Sequence, residues 1–175
     1  MIATKIQDAI NTQITLEQYS AQLYLAMSAH CDGKSFRGFA HWLLVQAQEE
    51  TKHALKLVAF LLDRGGRLEL GKIDAPPSDF GTITQTFEKI LEHEKAITTK
   101  INALFELSRA ERDWASEIAL QWYVTEQVEE ESNVTQIVDQ LKATGHNVTA
   151  ATVVSGGEHD LLNTASRFPL VGAGR

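Results

Sequence analysis

The residues of this chain best placed to do chemistry are Glu50 and His53, in the stretch Gln46-Ala47-Gln48-Glu49-Glu50-Thr51-Lys52-His53. Positions three apart on a helix share a face, so this carboxylate and this imidazole aim at one point. Glu-x-x-His on a bundle helix supplies an oxygen and a nitrogen donor to a metal ion. Alone the pattern is a weak signal, because it arises often by chance. Its surroundings strengthen it. Phe39, Leu43, Gln46, Glu50, His53, Leu57 and Phe60 recur at spacings of three and four, a packing seam that is apolar at both ends and polar at its centre. An unpaired carboxylate in a core costs several kcal/mol even after relaxation. A cation sharing that core would remove the penalty.

The seam implies a helix from about Phe36 to Asp63, and three more segments carry the same periodicity. From about Lys5 to Asp32 the row is Ile6, Ile10, Gln13, Glu17, Ser20, Tyr24 and Met27. From about Thr82 to Arg109 it is Ile83, Ile90, Ile97 and Leu104, with Phe87, Glu94 and Ile101 beside it. From about Asp113 to Leu141 it is Tyr123, Gln127, Glu130, Val134, Ile137 and Leu141, and Gly145 stops it. Gly33 reads as the stop of the first helix and Ser35 as the N-cap of the second. Between Arg64 and Gly81 lie roughly eighteen residues without a helical seam, in which Arg67-Leu68-Glu69-Leu70 alternates like a short extended piece. Such a segment reaches roughly 60 Å, further than a helix of about 28 residues is long, at 42 Å. It can therefore return along the whole bundle and make helices two and three parallel.

The four helices have midpoints near residues 18, 50, 95 and 127, and the polar interruptions Glu17, Glu50 with His53, Glu94, and Gln127 with Glu130 all fall there. Midpoints of equal helices share a level whichever way each runs. Four carboxylates, one imidazole and one amide therefore converge on one layer. Ionised together they repel strongly, and two divalent cations resolve the charge. Carboxylate-rich donors with one histidine and open positions suit non-haem iron or manganese better than a closed zinc site. A bridged pair of such ions can hand two electrons to one O2. Glu50 and Glu130 are the candidate bridges. Tyr24 is placed to hydrogen-bond the bridge or supply a further electron, or else is a buried aromatic with its hydroxyl satisfied. Glu49, Glu126 and Glu129 border the layer and can form a third, weaker metal position that shares Glu130.

Composition bounds the rest. At 175 residues, 43% hydrophobic and 22% charged, the chain suits one soluble domain, with the bundle over about 5–145 and the remainder over about 146–175. A net charge of −7 argues against nucleic acid or an anionic membrane as partner. The single Cys31 excludes a disulfide framework or a Cys-x-x-Cys knuckle within the chain. With neither a signal-peptide pattern nor a membrane-length apolar run, cytoplasm is the expectation. His30, His41, His93, His146 and His159 stand off the seams and are expected on the surface or in loops; Trp122 reads as packing that points elsewhere. Asp113 and Glu117 either line a pore or sit on a solvated helix face. The texture of Glu158 to Arg167 allows a short fifth helix after Gly156-Gly157.

These residues resemble the bacterial non-haem ferritins from about Lys5 to Gly145. The likeness rests on Glu17 with Tyr24, Glu49-Glu50-x-x-His53, Glu94, and Trp122-Tyr123-Val124-x-Glu126-Gln127-Val128-Glu129-Glu130. It implies an all-α ferritin-like four-helix bundle with a long crossover between helices two and three and a short C-terminal fifth helix, assembled as a hollow 24-subunit shell. It implies ferroxidase chemistry: Fe(II) oxidised by O2 or H2O2 at a di-iron centre, then stored as ferric mineral. Glu17, Glu50 and His53 would hold the first iron, and Glu94, Gln127 and Glu130 would surround the second, with Glu50 bridging. Glu49, Glu126 and Glu129 resemble the third iron site, and Tyr24 the redox-active tyrosine. No haem is implied, since haem-bearing relatives carry a methionine between the positions of Glu50 and His53, where this chain has Thr51 and Lys52. Residues 148–157 look like an addition before the fifth helix. The rival readings are a di-iron oxidase or peroxidase acting on another substrate, and a non-catalytic metal-binding bundle.

Overall fold

A computed structural model describes residues 2–144. The expected fifth helix, the 148–157 segment, Gly145, His146 and His159 lie outside the described residues. Four helices account for most of the rest: α1 (Thr4–Gly33), α2 (Arg37–Asp63), α3 (Ile83–Ala110) and α4 (Trp114–Thr144). No strand is formed among the described residues, and no helix there is long and apolar enough to cross a membrane.

The directions of the helices follow from which ends touch. Ser28 Oγ, late in α1, donates to the Ala40 carbonyl, early in α2, at 2.6 Å. Lys5, at the start of α1, meets Glu111 just past α3 at 2.7 Å, while His30 near the end of α1 meets the Gly81 carbonyl just before α3 at 3.0 Å. So α1 runs antiparallel to both α2 and α3, and α2 and α3 are parallel. The intervening segment therefore has to travel the length of the bundle, as its reach allows.

That crossover is extended but pairs with no strand. Side chains of α1 take the place of a neighbouring strand: Asn11 donates to the Arg67 carbonyl at 2.9 Å and accepts from the Glu69 amide at 3.0 Å, and Gln7 accepts from the Arg67 amide at 2.8 Å. The alternation at 67–70 signals an extended backbone, but its partner is an amide ladder on a helix, which period-two reasoning does not reveal. His30 helps fasten the far end, lying edge-on to Phe80 at 5.4 Å.

Helix ends follow local rules, with one correction to the expected caps. After α2, the Gly65 amide donates to Leu62 and the Gly66 amide to Leu61, both at 2.9 Å, with Gly65 at φ 68°. This is a Schellman stop, in which glycine takes the left-handed position. Ser35 occupies the same position after α1, at φ 65°, with its amide donating to Asp32 at 2.8 Å and that of Phe36 to Cys31 at 2.9 Å. It terminates α1 rather than capping α2. Thr82 and Gln85 form a reciprocal capping box at the start of α3.

The core is divided. One apolar cluster, around Leu23, Met27, Leu43, Phe87, Ile90, Val134 and Leu141, fills one end of the bundle. A second, around Ile6, Ile10, Ile14, Leu57, Leu61, Ile97, Ile101 and Leu120, fills the other. Phe60 is only half-buried, and Leu61 takes the core place at that end of α2. Between the clusters lie buried polar groups from all four helices.

Candidate metal centre

The polar layer contains every residue that the helix midpoints place there. Glu17, Glu50, His53, Glu94, Gln127 and Glu130 are each 6% exposed or less. Full-length packing of the four helices brings them together, and because each sits at mid-helix, no end-fraying loosens them.

Glu17, Glu50 and His53 present ligand atoms all within 4.8 Å of one another, and so do His53, Glu126 and Glu130. His53 is thus common to both groups: Nδ1 lies 3.6 Å from Glu50 Oε2, and Nε2 lies 4.0 Å from Glu126 Oε1. Burial, helped by Lys56 and Lys52, pushes the imidazole down to about 4. It is neutral at physiological pH with a lone pair free to bind a metal. Glu94 stands outside both triplets. Its Oε1 accepts the Tyr24 hydroxyl and its Oε2 accepts Gln127 Nε2 at 3.1 Å. The same Nε2 lies 3.2 Å from Thr98 Oγ1. Tyr24 therefore bonds Glu94, not either of the carboxylates expected to bridge.

In ionised form the layer needs a cation; without one its carboxyls hold protons. Burial first, and then the charge of the neighbouring carboxylates, holds Glu50 and Glu130 well above the ordinary carboxyl range. Burial also raises Glu17 and Glu94, although hydrogen bonds from neighbours pull each part of the way back. Among the described residues no lysine or arginine forms an ion pair with any of the four. Oxygen-rich with one imidazole, desolvated and without a protein counter-charge, the donor set fits divalent ions such as Fe2+ or Mn2+.

Glu49, Glu126 and Glu129 form the acidic border on α2 and α4. Glu126 is partly buried, and desolvation together with Glu129 and Glu49 raises its pKa. Gln46 Nε2 steadies Glu49 Oε2 at 2.6 Å. Glu129 is exposed.

Several residues outside the expected site hold it in place. Gln13 donates to Glu17 Oε1 at 2.8 Å; it stands one turn before Glu17 on the same seam, so the spacing was there to be read. The Tyr123 hydroxyl donates to the His53 carbonyl at 2.8 Å. Three expectations need correction. Trp122 does not point elsewhere: its ring meets His53 edge-on at 5.2 Å, with Lys56 Nζ 3.1 Å above it. His93 does not stand free on the surface but is half-buried, within 2.7 Å of Ser20 Oγ and edge-on to Tyr24; burial lowers its pKa to about 4. Asp113 is not on a freely solvated face: it accepts from both Arg64 guanidinium nitrogens, at 2.9 and 3.0 Å, and caps the Ser116 amide.

Fold and donor layer together define a helical-bundle metal-binding protein. A family model described as a ferritin-like domain matches residues 7–144. A bacterial non-heme ferritin of Bacteroides fragilis is 42% identical over 145 residues, covering 83% of this chain and 91% of the relative. One from Staphylococcus aureus is 35% identical over 150 residues, covering 86% and 90%. Among solved structures, an open pore ferritin from the hyperthermophilic archaeon Archaeoglobus fulgidus matches with a TM-score of 0.84 at 41% identity, over 88% of this chain and 95% of that one. A closed form engineered from the Archaeoglobus ferritin matches with the same score, over 88% and 94%. The chain belongs to the ferritin family.

Proposed function

We propose that this chain is an iron-storage ferritin whose buried layer is a ferroxidase centre. The observation that carries the reading is the division of the core: an apolar interior interrupted at mid-height by four carboxylates and a neutral imidazole, stable in ionised form only around cations. Ferrous iron is the substrate. Glu17, Glu50 and His53 bind one ion. Glu94 and Glu130 bind a second, with Gln127 orienting Glu94 and Glu50 bridging, and the triplet His53, Glu126 and Glu130 offers a neighbouring stop on the way in or out. Two Fe2+ each give up one electron to one O2, which takes two protons from water and leaves as H2O2; peroxide accepts two electrons in the same way and leaves as water. Tyr24, hydrogen-bonded to Glu94, is placed to supply an additional electron. Glu49, Glu126 and Glu129 make the third site, through which ferric iron passes to the interior of a 24-subunit cytoplasmic shell and hydrolyses to mineral. The chain acts as one domain and needs no haem.

The deciding experiment adds Fe2+ to the metal-free protein while O2 uptake, particle mass and retained iron are followed. Rapid uptake with iron kept soluble inside a particle of about 24 chains is the expected result. Fast oxidation without retention would move the assignment to a di-iron oxidase acting on another substrate, and no oxidation would reduce it to a binding bundle.

A further inference from the structure

The metal layer has two flanks of opposite character. Toward α2 and α4 stand the acids Glu49, Glu126 and Glu129. Toward α1 and α3 there is a cavity of about 290 Å3, lined by both helices and by Pro77 and Phe80 of the crossover. Leu23 and Phe80 are buried beneath it, Tyr19 and His93 give it aromatic surface, and Ala96, Lys89 and Glu92 stand exposed at its edge. At the lower edge of the roughly 300–1,000 Å3 that ligand cavities span, the cavity has room for no more than a small ligand of about two fused rings.

What lies behind the cavity distinguishes it from an ordinary surface groove. The His93 ring is fixed by Ser20 and packs at 5.9 Å on Tyr19 and at 6.4 Å, edge-on, against Tyr24. The Tyr24 hydroxyl in turn donates to Glu94 in the layer. Cavity, His93, Tyr24 and Glu94 form an unbroken line of contacts leading from the side opposite the acids.

We propose that this cavity binds a small planar hydroquinone, which sends electrons through His93 and Tyr24 to ferric iron in the layer and so drives release of stored iron. The inference rests on the reading of the layer as the place where iron changes oxidation state. The step balances: the hydroquinone gives up two O–H hydrogens as two electrons and two protons and becomes the quinone, two Fe3+ become two Fe2+, and the protons pass to water. Apolar walls disfavour a hydrated anionic reductant, whereas the half-buried Tyr19 ring over an apolar floor of Leu23, Met27 and Phe80 suits a flat ring. Lys89 and Glu92 offer polar partners to its hydroxyls at the mouth.

Menadione and its reduced form, menadiol, are the probes. Equilibrium dialysis against the assembled metal-free protein should show menadione binding, weakened by about tenfold in Ala96→Trp, which adds bulk at the exposed edge. In iron-loaded protein under anaerobic conditions, a ferrous chelator reads release driven by menadiol and, separately, by dithionite. The ratio of the two rates should fall by about tenfold in Ala96→Trp below saturation, and by about tenfold in His93→Leu with menadiol saturating, where any loss of affinity at the cavity wall is not what is read. Absence of binding, binding indifferent to Ala96→Trp, or an unchanged ratio in His93→Leu would each overturn the proposal. A protein that never loads iron would instead defeat the storage reading and leave the dialysis to judge the cavity.

Discussion

The Tyr123 hydroxyl on α4 donates to the backbone carbonyl of His53 on α2 at 2.8 Å. This one bond ties the helix that carries the shared imidazole to the helix that carries Glu126, Gln127 and Glu130. Tyr123 is 3% exposed, so its hydroxyl has no water to fall back on. Tyr123→Phe should cost about 1 kcal/mol of stability and slow ferrous oxidation modestly by loosening His53. Chemical denaturation and stopped-flow absorbance check both; a variant indistinguishable from the parent in both would mean that the bond positions nothing.

The raised carboxyls make a pH prediction whose sign is fixed. Because the folded-state values of Glu50 and Glu130 lie above their ordinary 4.5, the metal-free fold holds protons that the unfolded chain releases. Their stabilising contribution is complete below about pH 4.5 and is lost as pH rises through the folded-state values. The melting temperature of metal-free protein should therefore fall toward neutral pH relative to Glu50→Gln, which has one charge fewer to bury. Divalent metal, by displacing those protons, should reverse the trend. Parallel pH profiles for parent and variant would contradict this.

Ser35 gives a test of the fold that leaves the metal layer alone. A non-glycine residue in the left-handed region carries a steric penalty that glycine does not. Ser35, at φ 65°, should therefore accept glycine with a gain of about 0.5–1 kcal/mol. The same exchange at Gly65, in the form Gly65→Ser, should cost a similar amount. Thermal melts of the two variants shifted in the same direction would refute the assignment of these stops.

The Arg64–Asp113 pair joins the end of α2 to the start of α4, and Asp113 also caps α4. Asp113→Ala removes a cap, worth about 1 kcal/mol, along with a charge-assisted pair. A total loss of about 2 kcal/mol is expected, with the ferrous oxidation rate per folded chain unchanged. Loss of oxidation in fully folded variant protein would instead place Asp113 on the iron's path.

Much of the fold was legible because helix seams repeat. Glu17, Glu50, Glu94 and Glu130 each interrupt an apolar row at mid-helix, and equal helix lengths turn four separate interruptions into one layer. The crossover's task followed from its length alone. What stayed hidden lies off the seams. His93 and Trp122 are neighbours in sequence of Glu94 and Tyr123, yet they touch the site from the side, through packing that no axial periodicity records. The support that Asn11 and Gln7 give the crossover was hidden for the same reason, since a side-chain ladder onto extended backbone leaves no repeat. Serine favours N-caps in general, whereas at Ser35 the geometry of the preceding helix stop decides the conformation. In the site itself, the seams pointed to which residues meet; they did not show that Tyr24 would choose Glu94 or that His53 would face two groups of acids at once.

Crystals of the protein soaked with Fe2+ without oxygen, and measured at the iron absorption edge, test the central claim most directly. The account predicts anomalous density for one ion among Glu17, Glu50 and His53 and for a second beside Glu94 and Glu130, with the first lost in Glu50→Ala. A mid-bundle layer that takes up no iron under saturating Fe2+, or density confined to the acidic border around Glu129, would contradict it.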